Sequence, residues 1–354
     1  MAKLSIIIPY CTEYPQVYFT VCNLRCELEQ SDIDWEVITV ANKSSDKSYE
    51  RLKATQTSRI KALEYNEKLS HWCAKNEAIK NSTGDVLFFI DSHCIVSKDA
   101  ILNMFNYYTT HYEELHGTLH LPILYMNEAK ERELEYKLQA NITDKKLVGD
   151  TNSKNTPQNL HYSFTRYKNY VTCPKCKQVF TASGTPVVCI NPKCKFKFMP
   201  EPRHHRVSCM STCGMMISRE LMVDKLKMWP SALGIYGGGE NFINFTLAMM
   251  GYHINVFCRP NNLHHYAEKR GYSWNYDDHV RNRIIAAYMY GGEEWAHIFA
   301  LNVRGRPKVL EEIYQDVIAT CKEHREAIKK YIITTPQEWV EQEAKEGRFQ
   351  GIYK

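Results

Sequence analysis

The stretch GDVLFFIDSHC, residues 84–94, decides how the rest of the chain is read. DVLFFID (85–91) is an apolar run of strand length and reads as a buried β-strand. It stops on Asp91, with His93 one residue beyond and Cys94 after that. A carboxylate and an imidazole two residues apart on an extended segment point to the same side. Oxygen and nitrogen ligands together suit a Mn²⁺ or Mg²⁺ ion. The same residues also fit a strand-end aspartate capping the next turn beside a partly exposed histidine.

The sequence before this stretch repeats one pattern. SIIIPY (5–10) is a β-branched run, residues 14–30 have helical spacing, and WEVITVAN (35–42) is a second buried strand. Residues 46–56 read as a helix, RIKAL (59–63) as a short strand and CAKNEAIKNS (73–82) as a helix ended by Gly84. After the strand at 85–91, residues 98–112 read as a helix that Ser97 or Asp99 can cap. Strands alternating with helices imply an α/β fold with a parallel sheet. Ligands of such sheets bind at the carboxyl ends of the strands, where Asp91 and His93 fall.

Composition narrows the class. With 354 residues, 44% hydrophobic and 24% charged, the chain is long enough for more than one folded unit. No run of about 18 apolar residues suggests a membrane span. MAKLSIIIPYCTEY reads as a first strand rather than an export signal, because Pro9 and Glu13 interrupt it. Thirteen cysteines without such a signal imply a reducing compartment, with metal binding or burial as the use of each thiol. The expected location is a bacterial cytoplasm, with a phage-encoded chain as one origin that fits.

SIIIPY, VITVANKSSD and GDVLFFIDSHC in this order resemble the nucleotide-binding half of GT-A glycosyltransferases of the family-2 type. Asp91-Ser92-His93-Cys94 is most similar to the polypeptide N-acetylgalactosaminyltransferases, which use Asp-x-His. CGMMISRELM (213–222) and IYGGGENFINFTLAMMGYHINVFCRPNNLHHY (235–266) extend the likeness to roughly 1–110 and 207–290. The resemblance implies a UDP-sugar donor and a cation held by Asp91, His93 and a later histidine. That histidine is His264 if one gap is allowed, and His265 without it. It implies Glu240 and Asn241 beside Asp91 in the catalytic group. Pro9, Asn42, Lys75, Ser92, Tyr236, Gly238, Gly239 and Tyr272 are then the donor-side contacts, with GYSW (271–274) as an aromatic loop over the donor. Retention of anomeric configuration, without an enzyme nucleophile, follows from the same likeness. Two departures stand out: Ala41 and Asn42 replace the usual acidic base-readers, and the tryptophan before Gly-Gly-Glu-Asn is absent, with Tyr236 nearby. Gly-Gly-Glu-Asn also fits a plain glycine turn, and Lys75 a solvated helix face.

The middle of the chain is unlike that family. After a polar linker, GDTNSKNTPQN (149–159), come Cys173-x2-Cys176 and Cys189-x4-Cys194, two knuckles that describe a zinc ribbon. From Arg166 to Arg206 nine Lys or Arg stand against one acid, Glu201: a local +8 in a chain of net +5. Tyr167, Tyr170, Phe180, Phe196 and Phe198 are interleaved. A phosphate backbone or unstacked bases would suit such a surface. A zinc-stapled insert with merely solvating lysines, or one that contacts protein, fits as well. His204, His205, Cys209 and Cys213 follow without an evident role.

The expectation is therefore an α/β GT-A fold, a mixed sheet flanked by helices. It divides into a nucleotide-sugar half (1–150), an inserted zinc ribbon (151–206), an acceptor half (207–300) and a helical tail (301–354). The expected acceptor is DNA bearing a hydroxymethylated base, reached through residues 166–206. Transfer to a protein or glycan hydroxyl, and a decayed transferase that only binds nucleic acid, are the competing readings.

Overall fold

The structure is a computed structural model. It describes residues 2–127, 130–139, 141–143, 146–148, 161–166, 170–181, 187–198, 203–258, 263–266, 272–303 and 307–346. The linker at 149–159 lies outside the described residues.

The first half follows the alternation in the sequence. β1 (Lys3–Tyr10), α1 (Gln16–Leu28), β2 (Asp34–Asn42), α2 (Ser48–Lys53), β3 (Ile60–Tyr65), α3 (His71–Lys80) and β4 (Val86–Phe89) succeed one another. All but the first residue of β1, and likewise of β2, is buried, as both-face coverage of a parallel sheet requires. On α1 the buried Val17, Thr20, Val21, Leu24 and Leu28 recur at three- and four-residue spacing, which gives one core-facing stripe. α3 starts where the Ser70 hydroxyl accepts the Cys73 amide at 3.3 Å, an N-cap.

β1 to β4 pair in parallel in the order β4-β1-β2-β3. The sheet then becomes mixed. Met215–Ser218 runs antiparallel beside β4 and beside Gly117–His120, and His253–Phe257 and His204–Val207 complete eight strands. This is the mixed, helix-flanked sheet expected of a GT-A fold. His204–Val207, which the sequence placed at the end of the insert, is an edge strand of this sheet. Glu343 on helix Pro336–Lys345 is buried and accepts from Arg206 at 3.0 Å and Ser208 at 2.7 Å, tying the C-terminal helix to it.

A second sheet stands at the end of the first, in the order His161–Arg166, Lys130–Gln139, Ile123–Asn127, Leu263–His265 and Cys94–Val96. Its last strand begins three residues after Asp91. The helix that follows is Ala100–Thr110. Neither expected cap serves it: Asp99 has positive φ and makes no side-chain cap bond, and the Ser97 hydroxyl is bonded to His264.

One buried charge ties the lower ends of β1, β2 and β3 together. Glu36 accepts from Lys61 at 3.0 Å, Ser5 at 2.8 Å, and the Thr83 amide and hydroxyl at 2.6 and 3.0 Å. Burial raises its carboxyl pKa, but these donors outweigh that and hold it at about 2. A depressed carboxylate stabilises the fold above its unfolded pKa, and this contribution is lost as pH falls through about 4 towards 2. Glu36→Gln should therefore destabilise the protein by about 1–3 kcal/mol at pH 7. Urea denaturation at several pH values should show the wild-type advantage shrinking below pH 4.

Candidate active site and zinc site

The carboxyl end of β4 does not continue as an extended strand. Residues 92 and 93 form a turn, and Cys94 enters the second sheet. The side-by-side presentation of Asp91 and His93 thus comes from a turn rather than from strand alternation. His93 Nε2 lies 4.0 Å from Asp91 Oδ2. The third member is His265: Asp91, His93 and His265 each place a ligand atom within 4.8 Å of the others. The His93 and His265 rings meet edge to face at 4.4 Å.

The pairing register decides between the two histidines. In the antiparallel ladder His265 stands opposite Cys94 and His264 opposite Ile95. Adjacent strand residues face opposite ways, so only one of them can meet His93. His264 turns to Ser97, its Nε2 3.0 Å from the hydroxyl. Of the two histidines the sequence left open, His265 is the one grouped with Asp91 and His93; two consecutive histidines carry no sign of which faces the turn.

Glu13 orients this group and was missed in the sequence. It is 9% exposed, its Oε2 lies 2.9 Å from His93 Nδ1, and it also accepts from the Ser92 hydroxyl. A carboxylate on Nδ1 fixes the ring and leaves Nε2 towards Asp91, the arrangement that serves a metal-ligating imidazole. The acid within PYCTEY was its only signal. Ser92 is buried against Glu13 and braces the turn. Burial opposes ionisation of Asp91, but His93, Lys75 and His265 outweigh it and lower its pKa.

Lys75 is not on a solvated helix face. It is 1% exposed, with Nζ 3.3 Å from the Thr212 hydroxyl and 4.6 Å from the Trp72 ring centroid, and Trp229 and Phe89 on other sides. Burial pushes its pKa down, while Asp91 and Glu240 pull it up. Its ammonium form is thus disfavoured by burial and supported by both carboxylates.

Glu240 opens helix Gly239–Met249, and Asn241 is buried beside it. The glycines before it are required. Gly237 and Gly238 have positive φ, and a Cβ on Gly239 would lie 2.5 Å from the Trp72 ring. Helix Tyr276–Asn302, broken at Gly292, holds this segment from behind: Asn282 donates to the Tyr236 carbonyl at 2.7 Å, and Asp278 accepts from the Ile235 amide at 3.1 Å. Tyr236 packs on Trp274 at 5.0 Å and stacks on His279 at 5.6 Å. Of the aromatic loop, Gly271 lies outside the described residues and Tyr272 is half-buried.

Two of the expected donor-side residues are buried within the sheet and its loops. Asn42 is buried and its amide is engaged: it donates to the carbonyls of Tyr65 and Lys68 and accepts from the Ser70 amide. It clamps the β3–α3 loop and has no donor left for a base. Pro9 is buried within β1 in register with Val40. The four residues after the ribbon also find local roles. His204 meets the Tyr107 hydroxyl at 3.0 Å, His205 the Cys258 sulfur at 2.8 Å, and Cys209 is buried in the core. Cys213 accepts from the Asp91 amide.

Cys173, Cys176, Cys189 and Cys194 form the second cluster. Sγ of Cys173 and Cys194 are 3.7 Å apart, and those of Cys176 and Cys189 3.5 Å. A tetrahedral Zn²⁺ with about 2.3 Å bonds needs sulfurs ~3.8 Å apart, so the four thiols fit that ion. Each knuckle turns through a positive-φ lysine, Lys177 or Lys195, and each is followed or preceded by a two-stranded ladder. The described ribbon has a core of Val171, Phe180 and Val187 around the sulfurs, too small to hold without a staple.

The Glycosyl transferase family 2 profile matches residues 5–222, well over half of the chain. The chain belongs to this family. Among solved structures it resembles GalNAc-T7 in a crystal structure with UDP, GalNAc and Mn²⁺, with a TM-score of 0.64 and 16% identity over 98% of this chain. It spans 57% of that protein's length. Staphylococcus aureus TarS, in complex with UDP-GlcNAc, matches at a TM-score of 0.48 and 12% identity, over 91% of this chain and 73% of that one. No curated protein sequence matches the chain. Among the described residues no helix is long and apolar enough to cross a membrane.

Two outcomes are expected. His265→Ala should weaken Mn²⁺ binding, followed by electron paramagnetic resonance, at least tenfold, and Glu13→Gln by about 10–100-fold, whereas His264→Ala should leave it within threefold. Cys189→Ser should remove one zinc per chain and open residues 170–198 to protease, leaving the melting of the main sheet nearly unchanged.

Proposed function

We propose that this glycosyltransferase moves a sugar from a UDP-sugar to a hydroxymethylated base in DNA. The observation that carries the donor half is the meeting of Asp91, His93 and His265 at the carboxyl end of β4. GalNAc-T7, similar in fold, was crystallised with UDP and Mn²⁺. A Mn²⁺ or Mg²⁺ ion held by the three residues would supply neutralising charge for a departing diphosphate. Glu13 keeps the His93 ring oriented and Asp91 stays ionised beside it. Lys75 is buried nearby, where Asp91 and Glu240 favour its charged form against burial. Glu240, at a glycine-shaped helix start, is the carboxylate for the sugar or the acceptor hydroxyl, with Asn241 beside it. Retention of configuration follows from the family-like motifs.

The acceptor half rests on the insert. Five lysines of the described ribbon are exposed, and its residues 170–181 and 187–198 contain no acid. A polyanionic acceptor fits this surface. A base inside a duplex would have to leave the stack to reach Glu240.

The test is incubation with Mn²⁺, a panel of UDP-sugars and DNA with or without 5-hydroxymethylpyrimidines, followed by digestion and mass spectrometry of the nucleosides. A sugar mass on the modified nucleoside alone, reduced at least 100-fold in Asp91→Ala, is expected. Donor hydrolysis without a DNA product, together with transfer to a peptide or glycan, would replace the acceptor. Failure to bind or hydrolyse any nucleotide sugar would remove the donor assignment.

A further inference from the structure

The ribbon shows more than charge. Val179, Val188, Ile190 and Phe196 are 61, 53, 60 and 40% exposed, so a module of about 30 residues displays four large apolar side chains. Small cores leave some apolar surface uncovered, but here it alternates with cations. In the ladder of Val187–Val188 with Lys197–Phe198, Val188 stands opposite Lys197 and Val187 opposite Phe198. Val187 and Phe198 turn to the ribbon core, which leaves Val188 and Lys197 on the outer side together. Phe196 stacks with Phe198 at 6.2 Å with planes 14° apart, and Lys175 Nζ lies 5.9 Å from the Phe196 ring centroid. Lys177 and Lys195 project from the two knuckle turns.

We infer that the ribbon binds single-stranded nucleic acid, with Phe196 as a stacking platform, Lys175 beside it on a phosphate, and Lys195 and Lys197, on the other side of the ladder, on the phosphates that flank the stacked base. A duplex offers such a surface only its charged backbone, which would leave Phe196, Val188 and Ile190 against water or phosphate. Unstacked bases offer π-faces to the ring, and their phosphates meet the lysines. An acidic protein would satisfy the cations but gains nothing specific from a stacked phenylalanine pair. The inference deepens the DNA acceptor proposed above and rests on it only for its purpose. A strand held open by the ribbon would present an unpaired base to the transferase site at lower unstacking energy.

The experiment uses the full zinc-loaded chain and fluorescence anisotropy. The probes are a labelled unmodified single-stranded oligonucleotide, the same sequence as duplex, and a labelled poly-glutamate peptide. The single strand should bind at least tenfold more tightly than either of the others. Phe196→Ala should abolish most of that preference with an unchanged salt dependence and an unchanged zinc content. Phe196→Tyr should restore the preference. Combined alanine replacement of Lys175, Lys195 and Lys197 should weaken binding and lower the salt slope by ~0.7 per lysine. Equal or tighter binding of duplex or peptide overturns the inference, as does indifference to Phe196→Ala. The two proposals fail separately. Sugar transfer to hydroxymethylated DNA without single-strand preference sinks only this one. Single-strand binding without transfer sinks only the acceptor.

Discussion

The turn at Asp91-Ser92-His93 is the constraint on which the rest of the structure depends. It is where the chain leaves the large sheet and enters the small one. β4, buried on both faces, delivers Asp91. Cys94 then pairs with His265, so the ladder of the second sheet brings a histidine from far along the chain to the same point. Glu13, from the loop after β1, holds both Ser92 and His93. Three separate segments therefore converge because of two strand registers and one buried carboxylate. A one-residue slip of strand Leu263–His265 would present His264 instead and disassemble the group.

The opposing carboxylate is built by a different device. Glu240 sits where it does because three consecutive glycines let the chain approach Trp72 and helix Tyr276–Asn302 more closely than any side chain allows. Lys75 links the two halves. Its ammonium is walled by Trp72, Phe89 and Trp229 and is influenced by both Asp91 and Glu240.

Most of the first sheet was legible in the sequence because each element carries its own signal: β-branched runs for strands, three- and four-residue spacing for α1, Gly84 as a boundary. The zinc ribbon was legible for the same reason, since its ligand spacing is local. What escaped was information held in long-range pairing. The choice between His264 and His265 is a matter of register. The burial of Asn42 and Ser92 depends on partners at Tyr65, Lys68, Ser70 and Glu13 that no local pattern reveals. The edge strand His204–Val207 looked like part of the basic insert because its composition is basic, yet its backbone belongs to the central sheet. Lys75 read as a donor contact or as a solvated helix-face residue, because the aromatic walls around it come partly from 89 and 229.

The central claim is that the Asp91, His93 and His265 group carries a nucleotide diphosphate through a divalent cation. Calorimetric titration of UDP into the protein, with Mn²⁺ and with chelator, tests it most directly. The account predicts UDP binding in Mn²⁺ that disappears with chelator and in His265→Ala, but survives in His264→Ala. UDP binding of equal strength without a divalent cation, or undiminished by His265→Ala, would contradict it.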